Sequence, residues 1–216
     1  MMPKNVETTV KDEKLIKQRR AELIKAAVKL FTEKGFHRTT TREIAREAGF
    51  SIGTLYEYIR TKEDVLYLVC DDIYNKVSDR LRATIALKGD GVECLKAAVA
   101  GCVKVMDDMQ DEVLVMYQEA KSLSKESLPY VLNKELEMVK LLEDVLDHCI
   151  RLGALHLTEK EKEFYAHHIL VLCQMWAFRR WSLAKTFTVH EYTAYLIDAI
   201  LYGISVQKAP SIDQKS

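Results

Sequence analysis

Residues 39–58 read TTTREIAREAGFSIGTLYEY, two short apolar-patterned segments hinged at Ala48-Gly49-Phe50. Thr39 or Thr40 can cap the first segment, and Glu43, three residues after Thr40, completes a capping box. The helix predicted over 41–48 sets Ile44, Ala45 and Ala48 on one face. Gly49 permits a sharp turn, Ser51 caps the second segment, and that helix runs to about Tyr58. Ala45 is small enough to let the helices cross closely, with Ile44, Leu55 and Phe31 in the core between them. The outward face of the second helix then carries Ser51, Ile52, Thr54, Tyr56 and Tyr58. Helices joined in this way form a helix-turn-helix, whose second helix enters the major groove where the motif meets DNA. Similar αα corners bind nothing, so the surroundings of the motif decide.

Outward from it the pattern stays helical. Leu23, Ala26, Ala27, Leu30 and Phe31 recur at helical spacing over 15–34, and Gly35 suits the C′ position that ends a helix. Thr61 caps a fourth helix with Glu63 and Asp64 in its first turn. Its apolar run ends at Lys88-Gly89-Asp90-Gly91, the clearest linker in the chain. Further helices are predicted over 92–109, 112–123, from about Ser127 (with Pro129 in the first turn) to Gly153, over 160–184, and from Val189 onward through Leu196, Ile200 and Ile204. No alternating strand pattern and no internal repeat are visible. The expected fold is all-α: an N-terminal three-helix bundle with a helix-turn-helix, joined by a linking helix to a larger C-terminal helical domain. The expected divisions are a mobile basic arm over 1–14, a DNA-binding domain over 15–62, a ligand-binding and dimerisation domain over 63–208 and a tail over 209–216.

Composition supports this. The 216 residues are 48% apolar and 30% charged, which excludes a disordered tail, a collagen-like chain or a coiled-coil rod. Eight Gly and three Pro are too few for the tight turns of a sheet protein. Five cysteines with no C-x-x-C pair exclude a disulfide framework or structural zinc, and read as small apolar residues in a reducing compartment. The N-terminus lacks the apolar core of a signal peptide. The least charged stretch, 164–178, contains His167, His168 and Gln174, and is too short and polar to span a bilayer. A soluble cytoplasmic protein without membrane contact is expected. The zero net charge hides a division: residues 1–62 hold 14 basic and 8 acidic side chains, so a +6 segment precedes a −6 remainder. One end is suited to a polyanion.

The order AELIKAAVKLFTEKGF, then HRTTTREIAREAGFSIGTLYEYI, then RTKEDVL resembles the N-terminal domain of the tetracycline-repressor-like (TetR) family of bacterial transcriptional regulators. The resemblance covers about residues 15–70. It rests on Ala26-Ala27 with Phe31 and Gly35, Thr40-Thr41, Ile44-Ala45, Ala48-Gly49, Gly53-Thr54-Leu55-Tyr56 and Lys62-Glu63. Ile59 stands where the family usually has Phe, and Arg60-Thr61 replaces a commoner Lys-Ser pair. The resemblance implies a ligand-responsive regulator, most simply a repressor, that binds a palindromic double-stranded operator as a homodimer and is released by a small apolar effector. It implies phosphate contacts from Thr40, Tyr56 and Lys62, and base-edge contacts from Ser51, Ile52 and Thr54. Arg38, Thr41, Arg42, Gly53 and Tyr58 complete the implied DNA-binding set.

No Gly-rich phosphate loop, G-x-S-x-G or H-E-x-x-H is present, and His167 and His168 are adjacent and so face different ways. No catalytic residue, metal or cofactor is expected. Met106, Met109, Met116, Tyr117, Met138 and Trp176 are candidate linings of an adaptable apolar effector pocket, with Gln118, Glu119 and Arg179 as polar groups beside it. That pocket is expected between 92–152 and 160–184. The helix over 160–184 reads apolar all round, and with the last helix it is expected to form a dimer interface through Val171, Met175, Phe178, Trp181, Leu196 and Ile200. Two other readings stay open: a small-molecule-binding or sequestering protein with a vestigial helix-turn-helix, and an all-α enzyme with an unrecognised site.

Overall fold

The computed structural model describes residues 5–85 and 90–202, and within them the secondary structure is entirely helical. The helices are α1 (Glu13–Lys34), α2 (Thr41–Glu47), α3 (Ile52–Tyr58), α4 (Lys62–Thr84), α5 (Gly91–Asp108), α6 (Gln110–Glu119), α7 (Leu128–Arg151), α8 (Glu159–Phe178), α9 (Arg180–Leu183) and α10 (Val189–Tyr202), with a 3-10 turn at Ala120–Ser122. Local chemistry sets most of the boundaries. The Asp12 carboxylate accepts the Lys14 and Leu15 amides at the start of α1, and Gly35 at φ 80° ends that helix. Reciprocal capping boxes open α2 (Thr40 with Glu43), α4 (Thr61 with Asp64) and α8 (Thr158 with Glu161). At α7 no side chain caps the start, and Pro129 occupies the first turn instead.

Helix α1 packs on α2, α3, α4 and α6, while α4 runs on to meet α5 and α7, and α5, α7 and α8 form the centre of the larger part. One continuous apolar core runs through both parts, from Leu23, Phe31, Ile44 and Leu55 to Met106, Met138, Leu142 and Cys173. All five cysteines are buried free thiols. Burial pushes the Cys70 thiol up to about 12 and Cys149 up to about 11, so neither is a ready nucleophile.

Three expectations change. The helix expected over 160–184 breaks at Arg179, whose φ of −112° and ψ of 14° end α8 and begin α9. No glycine or proline stands there; just beyond the break the Arg180 guanidinium pairs with Asp107 of α5. From Val6 to Thr9 the arm is docked rather than free: Val6 is buried, Thr9 donates its amide to the Glu57 carbonyl, and Arg60 pairs with Glu7. Nor is residues 1–14 a basic stretch, since its three lysines meet Glu7, Asp12 and Glu13. Third, α8 is not buried all round: Phe164, Val171 and Leu172 face outward. Part of the expected linker (88–89), Ile204 and the tail over 209–216 lie outside the described residues.

Candidate nucleic-acid interface

Helices α2 and α3 are held by a small core in which Ile44, Ala45, Leu55 and Ile59 are essentially inaccessible. Tyr58 is three residues after Leu55 and so shares its inward face; it is 3% exposed and lies beside the Phe50 ring. That corrects its assignment as an outward, DNA-facing residue. The opposite face of α3 presents Ile52 and Tyr56, 37% and 44% exposed, with exposed Ser51 and Gly53 and half-buried Thr54. Ser51 Oγ accepts the Thr54 amide at 3.0 Å and shares a 2.9 Å hydrogen bond with Thr54 Oγ1. Tyr56 Oη and Thr41 Oγ1 share another at 3.2 Å, which ties α3 to α2. Thr40 Oγ1 donates to Glu43 Oε2 at 2.8 Å. Lys34 and Thr40 together hold the Glu43 carboxyl down at about 2.

Among the cations of this face, Lys29 and Lys34 are paired with Glu47 and Glu43. Arg38 is exposed and gives only its Nε, to the Lys34 carbonyl. Arg42 is exposed and has no hydrogen bond or ion pair among the described residues. The same holds for Arg46, one helical turn on, which the sequence reading missed although the i,i+4 spacing carries the signal.

Lys62 is the main correction. Its Nζ donates to the carbonyls of Phe36 (3.0 Å), Thr39 (3.0 Å) and His37 (3.4 Å), and sits 4.2 Å from the Phe36 ring centroid. An ammonium has three protons, and three carbonyls take them. The side chain fastens the link between α1 and α2 instead of reaching outward to a phosphate. A second grip comes from the larger part: Glu119 of α6, 9% exposed, accepts the Phe36 amide at 3.0 Å, and Ser122 Oγ lies 3.0 Å from His37 Nε2. Glu119 is therefore a joint between the two parts and not a pocket wall. Helix α3 is fastened at its C-terminal end too. Thr8 Oγ1 and the Thr9 amide donate to the Glu57 carbonyl, and Arg20 donates to the carbonyls of Tyr58 and Val6, which satisfies groups a seven-residue helix leaves open.

In the larger part, Met106, Met109, Met116 and Met138 are buried in closed core. Trp176 is buried with its Nε1 on Asp107, while Tyr117 is 64% exposed and stacks on Phe178 at 4.2 Å. None of these six lines the apolar cavity between the middle helices and α8. A half-open apolar cavity of about 170 Å³ lies elsewhere between the middle helices and α8, walled by Leu95, Leu146, Leu155, Leu157, Tyr165, Ile169, Ile200 and Leu201. Gln118 is exposed, and Arg179 lies over the Trp181 ring. A buried polar cluster that the sequence reading missed stands among α4, α7 and α8, where Gln174 donates to Glu135 at 2.9 Å and Tyr74 shares that carboxylate. Burial and that carboxylate push the Tyr74 phenol well above its ordinary range.

Of the six residues expected at a dimer interface, Val171 and Trp181 are 50% and 67% exposed and Met175 is half-buried. Leu196 is buried within its own chain, Phe178 is covered by Tyr117, and Ile200 walls the cavity. Tyr195 and Tyr202 add exposed aromatic surface on α10. Among the described residues no helix is long and apolar enough to cross a membrane, and no three His, Cys, Asp or Glu side chains gather as a metal site would require.

Two family models match the chain: bacterial regulatory proteins of the tetR family over residues 23–67, and the tetracyclin repressor-like C-terminal domain over 88–181. The HTH-type transcriptional regulator HbdR of Aromatoleum sp. (strain CIB) is 29% identical over 188 residues, covering 87% of this chain and 81% of that protein. A crystal structure of a tetR-family regulatory protein from Rhodococcus RHA1 superposes with a TM-score of 0.76 at 23% identity, covering 88% of this chain and 99% of the other. AibR, solved in complex with isovaleryl coenzyme A and operator DNA, superposes with a TM-score of 0.70 at 17% identity, over 83% of this chain and 96% of its own. With both of its parts matched, this chain belongs to the tetR family of bacterial regulatory proteins.

Proposed function

We propose that the protein is a ligand-responsive transcriptional repressor that binds a palindromic operator as a dimer, in the cytoplasm. The observation that carries this reading is the double grip on residues 36–39: Lys62 fastens the link beside α2, and Glu119 joins that link to the ligand-domain helix α6. A DNA-reading unit tied by a buried hydrogen bond to a second domain has a route for regulation. Helix α3 enters the major groove, with Ile52, Gly53 and Thr54 toward base edges. Thr41, Tyr56, Arg38, Arg42 and Arg46 meet phosphates. The exposed apolar face of α8, α9 and α10, with Val171, Leu172, Trp181 and Tyr195, joins the two copies.

The effector is an acyl thioester or similar elongated apolar molecule. AibR was solved with one such compound, and here the space between α5, α7, α8 and α10 is lined by aliphatic side chains and Tyr165. A molecule entering there spreads those helices and shifts α6; Glu119 then carries the 36–39 link and α2 with it. A tenfold loss of operator affinity needs only about 1.4 kcal/mol of coupling. The test is titration of purified protein onto an operator selected from random duplexes, with and without acyl-coenzyme A compounds of graded chain length. Release by one length class and not by free coenzyme A is expected; no release by any of them removes the effector assignment.

A further inference from the structure

The tip of α3 sets one exposed apolar side chain among its polar groups. Ser51 Oγ accepts the Thr54 amide and shares one hydrogen bond with Thr54 Oγ1, and Tyr56 shares one with Thr41, so one hydroxyl proton in each pair stays available. Gly53 offers no side chain, and a Cβ there would meet only Ser51 Oγ at 3.7 Å, so the fold itself does not require the glycine. Beside them in the first turn stands Ile52, 37% exposed. A β-branched apolar residue there is no help to a short helix and lies outside the core. The first turn of a recognition helix is the part that meets base edges. On those edges the major groove displays donors, acceptors and one apolar group, the C5 methyl of thymine.

We infer that Ile52 packs against a thymine methyl in each operator half-site, so that α3 reads its operator at this position by apolar contact. This rests on the proposal that α3 enters the major groove, and it adds the identity of a base. The absent Cβ at Gly53 lets the helix come close enough for the contact.

Removing only the methyl tests it. Duplexes selected by the full-length protein are resynthesised with each thymine in turn, and its symmetry mate, replaced by deoxyuridine. Affinity is read by fluorescence anisotropy at fixed salt for the wild type and for Ile52→Ala, whose fold is checked by circular dichroism. Burial of one methyl is worth about fourfold, so loss of both symmetry-related methyls should weaken the wild type by about fifteenfold at one position of the half-site. Ile52→Ala should bind the thymine and uracil duplexes equally. Replacing the same thymine by cytosine and then by 5-methylcytosine should show part of the affinity returning with the methyl. The inference is overturned if the wild type selects a sequence yet no uracil substitution matters, or if Ile52→Ala keeps the discrimination. If the protein selects no sequence at all, the groove assignment of α3 falls, and this inference with it.

Discussion

Replacing Glu119 by alanine isolates the joint between the two parts of the molecule. The Glu119 carboxylate accepts the Phe36 amide at 3.0 Å across 83 residues of chain, in a setting where the side chain is 9% exposed. Without it that amide is left without its acceptor in a place water barely reaches, which costs about 1–3 kcal/mol. The packing lost with the side chain adds to this, so a loss of about 2–3 kcal/mol is expected in urea unfolding. Glu119→Gln keeps an acceptor of the same size but loses the charge, and should lose about 1 kcal/mol, the difference between hydrogen bonds to charged and to neutral groups. The functional consequence separates this joint from ordinary packing. Operator binding should survive in Glu119→Ala, because α2, α3 and Lys62 stay intact, while its response to effector is blunted at least fivefold. Stability within 0.5 kcal/mol of wild type together with full effector response would refute the reasoning.

Lys62→Met should destabilise the protein by about 2 kcal/mol through the carbonyls it leaves open, with the salt dependence of DNA binding unchanged, whereas Arg42→Ala should flatten that slope by about one unit; a flattened slope in Lys62→Met beside an unchanged one in Arg42→Ala would reverse the roles assigned here. Val171→Asp places an unpaired charge in the apolar face of α8, and light scattering should show a monomer with weakened operator affinity; an unaltered dimer moves the interface elsewhere. Glu43 has its carboxyl held at about 2, below the ordinary 4.5, by Lys34 and Thr40. Its contribution is therefore fully present above pH 4.5 and lost as pH falls toward 2, so acid unfolding of Glu43→Gln should lack part of the wild-type slope in that window.

What the sequence could reveal was whatever is written within a few residues. Thr40 with Glu43, Thr61 with Asp64 and Thr158 with Glu161 are complete signals at i,i+3, and the helices begin where they stand. Gly35 and Gly153 mark helix ends because only a positive φ continues the chain there. Tyr58 follows Leu55 by three residues, a spacing that turns it inward, although the helix-turn-helix motif alone puts it on the outward face. Lys62 was beyond local reading, since the carbonyls of Phe36, His37 and Thr39 converge on it from 23 to 26 residues away. Glu119 belongs to the same class, as does Arg180, whose partner Asp107 lies on another helix. The methionines show a different limit: helical spacing puts Met106 and Met138 inside, and it cannot distinguish a pocket wall from closed core.

A repressor of this kind must read a specific DNA sequence through α3. The most direct measurement is in vitro selection from random duplexes with the purified full-length protein, followed by footprinting at about 150 mM salt. Sequence-specific reading predicts a palindrome whose half-site centres fall about one helical turn apart, or a multiple of it. It also predicts a Kd of about 10⁻⁸ M or tighter, at least 10³-fold below that for unrelated duplex. Binding at about 10⁻⁶ M to every sequence alike, with no protected palindrome, would contradict it.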